Sequence, residues 1–254
     1  MPATAANREI IAAIRAEIAQ GDVRAGPVMP FHIDAIDERL AGRGLAAHAV
    51  HEVAAATSLL SDDAAATLFI AGIAARFAAA DGATIVWAVT RFDLYAPGLE
   101  QAGLPPSKML HVEAREDHDV LALVEDAVRH GSLAAVVGEV KRASMTATRR
   151  LQLAANEGRT PVLLLRRWRR AAACPLSEPS AAATRWRIAC APSAKLPMPG
   201  VGRPRWSVEL ARQRGGVSFS TIVEGCDATG RLAPPATVLY RAAPAGGAII
   251  HQAA

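Results

Sequence analysis

The sequence predicts an α/β protein: a mainly parallel sheet flanked by helices, extended by antiparallel C-terminal strands and preceded by an N-terminal helix. Three observations carry that reading. Between His48 and Leu165, short apolar runs alternate with helical ones, and strands apolar on both faces belong to parallel sheets covered on both sides. After Arg170, Pro175, Pro179, Pro192, Pro197, Pro199 and Pro204 forbid long helices and leave short strand-like runs between turns. The composition, 51% hydrophobic and 20% charged over 254 residues, is that of a globular chain and not of a disordered or fibrous one.

The first element is a helix over Arg8 to Gln20, with Ile11, Ile14 and Ile18 three and four residues apart on one face and Gly21 ending it. Its apolar stripe can pack on a neighbouring subunit or back on its own domain. Gly26, Pro27 and Pro30 mark a connector without periodicity. The expected organisation is residues 1–30 as helix and connector, 31–241 as a single core domain, and 242–254 as an Ala- and Gly-rich tail expected to be poorly ordered.

Within the core, His48 to Ala54 reads as a strand, Asp63 to Ala80 as a helix, and Thr84 to Val89 as a second apolar strand. Tyr95 to Gln101 reads as helix, Met109 to Glu113 as strand, and Asp117 to His130 as helix with Val120, Leu121, Val124 and Val128 inward. Ala134 to Glu139, Ala143 to Glu157 and Pro161 to Leu165 continue as strand, helix and strand. Thr184 to Ala189, Trp206 to Leu210 and Val217 to Val223 are read as antiparallel additions at the sheet edge.

The formal net charge is only +4, but it is unevenly placed. Residues up to Val140 carry a balance of −9 and the remainder +13. That asymmetry points to an acidic partner for the second half. No apolar run approaches the roughly 20 residues that a bilayer demands, and Met1 to Asn7 lack the features of a signal peptide, so a cytoplasmic protein with no membrane partner is expected. Cys174, Cys190 and Cys226 show no ligand spacing, so reduced thiols are expected and neither a disulfide framework nor a metal site. The seven histidines fall in no H-E-x-x-H pattern, and no G-x-S-x-G occurs.

A family resemblance rests on particular segments. These are Ile36-Asp37-Glu38-Arg39-Leu40 with Gly42 and Gly44, and Leu94-Tyr95-Ala96-Pro97-Gly98-Leu99. They continue with Ala181-Ala182-Ala183-Thr184-Arg185-Trp186-Arg187, and with Gly202-Arg203-Pro204-Arg205-Trp206-Ser207-Val208-Glu209-Leu210 followed by Arg212 and Arg214-Gly215-Gly216. In this order the chain resembles the ImuA family, RecA-like and SulA-related accessory proteins of the damage-induced mutagenesis cassette. The resemblance implies a RecA-like core, and partnership with ImuB and through it with a C-family error-prone polymerase. It also implies a role in SOS-controlled translesion synthesis, with RecA and single-stranded DNA as further candidate partners. A SulA-type inhibitor of the tubulin-like division protein is the competing reading.

A RecA-type ATPase needs glycines and a lysine in the loop after the first strand. Here that stretch is Ala54-Ala55-Ala56-Thr57-Ser58-Leu59-Leu60-Ser61-Asp62-Asp63, with neither. Asp62 and Asp63 already occupy the positive end of the next helix and would repel a polyphosphate. The resemblance would place a water-activating acid after the second strand, where Thr90-Arg91-Phe92 stands, and a nucleotide-sensing amide at Arg166. Glu139 closes the strand that would hold Mg²⁺, and without its context it reads as residual or structural. No cofactor and no ATPase activity are expected.

Arg166-Arg167-Trp168-Arg169-Arg170 follows a buried strand at the edge where RecA-type folds carry DNA-binding loops. Four guanidinium groups and an indole suit phosphate and base, but equally a solvated loop with Trp168 tucked inward, or a protein partner. Alternation places Arg185 and Arg187 opposite Trp186 and Ile188. With Arg203, Arg205, Arg212 and Arg214 they are expected to form an exposed basic ribbon for phosphate or an acidic protein surface. Ile11, Ile14 and Ile18 are expected to mediate self-association or docking on RecA.

Overall fold

The computed structural model describes residues 26–168, 173–193, 200 and 202–235. Its elements are β1 (Val28–Met29), α1 (Asp34–Asp37), β2 (Leu45–Ala46), β3 (Val50–Ala55), α2 (Leu60–Phe77), β4 (Ile85–Val89), α3 (Ala96–Gln101), β5 (Met109–Glu113) and α4 (Asp117–His130). They continue with β6 (Ala135–Val140), α5 (Met145–Glu157), β7 (Val162–Arg166), β8 (Thr184–Ala191), β9 (Arg205–Gln213) and β10 (Phe219–Glu224).

Eight strands form one sheet in the order β10-β9-β8-β3-β7-β6-β4-β5, and β1 with β2 makes a small antiparallel pair beside it. The expected class holds: a mainly parallel sheet between helices, with antiparallel strands at the C-terminal end. One boundary differs. β8 pairs parallel with β3, His51 facing Thr184, and only β9 and β10 run antiparallel. Seventeen residues of proline-bearing connection before β8 hide a crossover that usually takes a helix, which is why its direction was misread. Residues 28–46 also contain the β1–β2 pair and α1, elements too short to show periodicity.

Two cores sandwich the sheet. On one face α2 and the segment 31–45 bury Phe31, Ile36, Phe69, Trp87, Trp186 and Trp206. Phe31, Phe69 and Trp186 meet with ring centroids 5.6 to 6.2 Å apart, and each such ring, fully buried, contributes about 2–3 kcal/mol. On the other face α4 and α5 cover Val50, Val86, Val136, Val162 and Leu164 with Val120, Val124, Val128 and Leu151. Gly131, with φ +71°, caps α4, and the Ser144 hydroxyl caps α5 by accepting from the N–H of Ala147.

The chain closes over α2 at its far end. Gly72 leaves no room for a Cβ against Cys226 and Gly230, and Gly103 at φ +89° lies against the backbone of Gly230. Leu232 is buried in the same core as Phe69 and Trp206. Burial pushes the Cys226 thiol up to about 12, and Asp227 adds to the shift, so this sulfur behaves as an inert apolar group. No described helix is long and apolar enough to cross a membrane.

Candidate functional site

The carboxyl ends of β3, β6, β7 and β4 converge on one edge, where parallel α/β sheets place their chemistry. After β3 the chain turns through Ala56 into α2. Ala54 and Ala55 are buried strand residues, while Thr57, Ser58 and Ser61 are exposed. The N–H of Ala56 donates to Ile188 O at 2.7 Å, and Thr57 Oγ1 donates to Asp62 Oδ2 at 2.6 Å. The other carboxylate oxygen of Asp62 accepts the N–H of Cys190 at 2.8 Å. The loop is thus stitched to α2 and β8 by its own acid, and Asp62 and Asp63 stand in the first helical turn as the sequence implied.

Arg167 fills the space between that turn and β6. Its Nε donates to Glu139 Oε2 at 2.8 Å, and its Nη1 donates to Asp63 Oδ2 at 2.6 Å and to Thr67 Oγ1 at 2.9 Å. The remaining Glu139 oxygen accepts the indole N–H of Trp87 at 2.8 Å. Burial opposes the charge on Arg167, but Glu139 and Asp63 outweigh it and raise its pKa above the usual arginine value. A guanidinium therefore sits between a helix start and a strand-end carboxylate. Trp168 donates its indole N–H to Ala55 O at 3.1 Å, which folds it over the same loop.

Neighbouring arginines are equally committed. Arg166 donates to Glu52 Oε1 at 2.7 Å and Glu178 Oε2 at 2.9 Å, while Arg185 donates to Glu52 Oε2 at 2.6 Å. Glu52 and the side chain of Arg166 have no exposure to solvent, and Arg185 is 5% exposed. These positions correct the expectation of solvent-facing cations at Arg166, Arg167 and Arg185. The alternation of Arg185 and Trp186 was right, but the face opposite Trp186 is not open at β8, because Glu52 on the adjacent strand draws both guanidiniums inward. Farther out, Arg187 lies 3.4 Å from Glu209, and Arg203 lies 3.9 Å from Glu224 and from Asp227. Arg205 faces Glu224 across the β9–β10 register. The expected ribbon is thus a mixed-charge face. Arg169, Arg170, Ile11, Ile14 and Ile18 lie outside the described residues.

What the edge leaves open is a cleft of about 310 Å³, lined by Thr90, Arg91, Glu139, Lys141, Arg167 and Trp168 among others. Phe92 is 60% exposed beside it and meets His111 edge-on at 4.6 Å. Sequence reasoning did not single out Glu52, Trp87 or Lys141. Glu52, a carboxylate within the central strand, was the available signal, since it is buried only with cations.

One residue before Glu52 on β3, His51 is fully buried. Its Nε2 lies 2.8 Å from Ala46 O, and its Nδ1 lies 2.7 Å from Thr184 Oγ1, which accepts the indole N–H of Trp186 at 2.8 Å. This chain of bonds is complete with a neutral imidazole protonated at Nε2. Burial pushes its pKa down to about 4, with the Ala46 carbonyl opposing. Among the described residues no group of three or more His, Cys, Asp or Glu side chains is placed to hold a metal ion.

No family model matches the chain. A crystal structure of SulA from Pseudomonas aeruginosa aligns at a TM-score of 0.39 and 24% identity, over 46% of this chain and 96% of that one. Two sequences, each Protein ImuA, come from Caulobacter vibrioides strains NA1000 / CB15N and ATCC 19089 / CIP 103742 / CB 15. Each is 39% identical over 207 residues, which covers 80% of this chain and 85% of the relative. With that identity spread over four-fifths of both sequences, the chain belongs to the ImuA family.

Proposed function

We propose that this protein is a non-catalytic accessory subunit of damage-induced translesion DNA synthesis, which joins ImuB, and through it a C-family error-prone polymerase, to damaged DNA. The observation that carries the absence of nucleotide chemistry is the Arg167 cage. Asp63, Thr67 and Glu139, the groups nearest a nucleotide position, are consumed by a side chain of the same protein. Expelling Arg167 would leave Asp63 and Glu139 facing a polyphosphate, a repulsive arrangement. Membership in the ImuA family supplies the mutagenesis context.

The contact with single-stranded DNA or a DNA-bound RecA filament falls at the cleft edge, where exposed Arg91, Lys141 and Arg142 stand beside Trp168 and Phe92. Cations with interleaved aromatics suit phosphate and base. Ile11, Ile14 and Ile18 offer a second contact face, for another copy or for RecA. The deciding experiment is a pull-down with purified ImuB, with and without single-stranded DNA at two salt concentrations, paired with an ATP-binding titration. Retention by ImuB without measurable ATP binding is expected, and a steep salt dependence of the DNA arm assigns the cations to phosphate. Tight ATP binding with DNA-stimulated hydrolysis overturns the reading. Filamentation on overexpression would instead favour the division-inhibitor alternative.

A further inference from the structure

The sheet ends in two edge strands that are finished differently. Beyond β10 the chain returns and bridges it, the Glu224 N–H donating to Ala233 O at 2.8 Å and the Ala233 N–H donating to Glu224 O at 3.3 Å. β5 has no such cover, because among the described residues it pairs with β4 alone. Met109–Glu113 also lacks the devices that commonly blunt an edge, a proline, a bulge or a lysine within the strand.

The ladder fixes which backbone groups face outward. Ala114 donates its N–H to Val89 O at 2.8 Å, so Leu110, Val112 and Ala114 direct their backbone groups to β4, and the N–H and C=O of Met109, His111 and Glu113 turn to the open side. Side chains alternate between the faces. Leu110 and Val112 share the α4 face, where Val112 packs on the core and Leu110 is 56% exposed. Met109 and His111 share the other face, where Phe92 meets the imidazole edge-on.

We infer that β5 is a homodimerisation edge, on which a second copy of the chain adds its own β5 antiparallel about a two-fold axis through His111. In that register Met109 faces Glu113 of the second copy, Leu110 faces its Val112, and the two His111 residues face each other. The outward residues form the hydrogen-bonded pairs, each exchanging both N–H···O bonds. Leu110 and Val112 fall in the non-hydrogen-bonded pairs, where side chains come closest, so the exposed leucine gains an apolar neighbour.

Charge selects this direction. Lys108 stands before the strand, and Glu113 and Glu116 stand at and beyond its end. An antiparallel copy brings each basic start beside the other's acidic end and sets Arg115 opposite Ser107, whereas a parallel copy aligns like with like. Burial lowers the pKa of His111 against the opposing pull of Glu139, so neutral imidazoles meet at the axis. A two-fold contact of this kind closes at two copies and uses up the edge that would otherwise template further strands. The inference rests on no part of the translesion reading, so either can fail without the other.

The full-length protein should scatter light as a dimer whose mass falls to the monomer value on dilution. Leu110→Lys sets a charge against each Val112 while replacing an already exposed side chain, and should weaken association at least tenfold with an unchanged thermal melt. Leu153→Lys, at a similarly exposed leucine of α5, should leave the mass alone. Register is read from single-cysteine variants in a Cys174→Ser/Cys190→Ser background oxidised with diamide. A Cα separation of about 5.5 Å in a hydrogen-bonded pair suits a disulfide, so His111→Cys should cross-link at least tenfold faster than Leu110→Cys. A monomeric mass at every concentration overturns the proposal, and so does a dimer that survives Leu110→Lys, which places self-association on another surface. Equal cross-linking at 110 and 111 overturns the register.

Discussion

The two ends of the parallel sheet solve the same problem with opposite chemistry. Toward the carboxyl end, buried polar groups are ions: Arg167 between Asp63 and Glu139, and Arg166 reaching back to Glu52, which also holds Arg185, at 2.6 to 2.8 Å. At the amino end they are neutral: His51, Thr184, Gln152 and Gln213 hydrogen-bonded to backbone and to one another. Buried ion pairs return little net stability because desolvation offsets their attraction, yet breaking one is expensive. The difference teaches that the carboxyl end is locked by interdependence, whereas the amino end is held by bonds whose loss is local.

The largest break should come from Glu52→Gln, which leaves two arginines in a solvent-free site; a loss of about 5 kcal/mol, or failure to fold, is expected in urea denaturation. Arg167→Met should cost about 4 kcal/mol, since Asp63 and Glu139 lose their shared cation. If this variant instead keeps its stability, the cage is not what closes the nucleotide position. The amino end should answer to pH. Between the ordinary histidine value and about 4, the unfolded chain takes up a proton that buried His51 refuses. Stability therefore falls as pH falls from about 6.5 to 4, by up to about 3 kcal/mol, and is flat above. His51→Gln should remove the His51 share of that slope in thermal melts collected across the window, leaving the shares of His48 and His111, whose pKa values burial also lowers. The smallest effect is expected for Arg187→Ala, whose partner Glu209 is as exposed as Arg187 itself; under about 1 kcal/mol is expected, and less in high salt. A loss as large as that of Glu52→Gln would show that the outer strands share the locked network.

Much of this contrast was legible in the sequence and some was not. The parallel core was written in runs such as Val136-Val137 and Leu163-Leu164-Leu165, whose apolar character on both faces has one structural outcome. The absence of glycine and lysine from Ala54 to Asp63 was equally plain. The partners of the arginines were hidden: Arg167 meets Asp63 across 104 positions, and Arg166 meets Glu52 across 114. A basic run looks the same whether its charges face water or carboxylates. The two acids Glu52 and Glu139, each placed in an apolar strand, were the clue that cations had to come inside.

The close approach of Gly72, Cys226 and Gly230, with Leu232 beneath, binds the last described turn to one of the earliest long helices. During synthesis α2 emerges more than 150 residues before the loop that covers it. Until that loop leaves the ribosome, the surface of α2 around Gly72 stays bare, and the nascent protein offers it to chaperones or to other nascent chains. A truncation that removes residues 226–232 would leave every described strand of the sheet present but its helical cover unsealed.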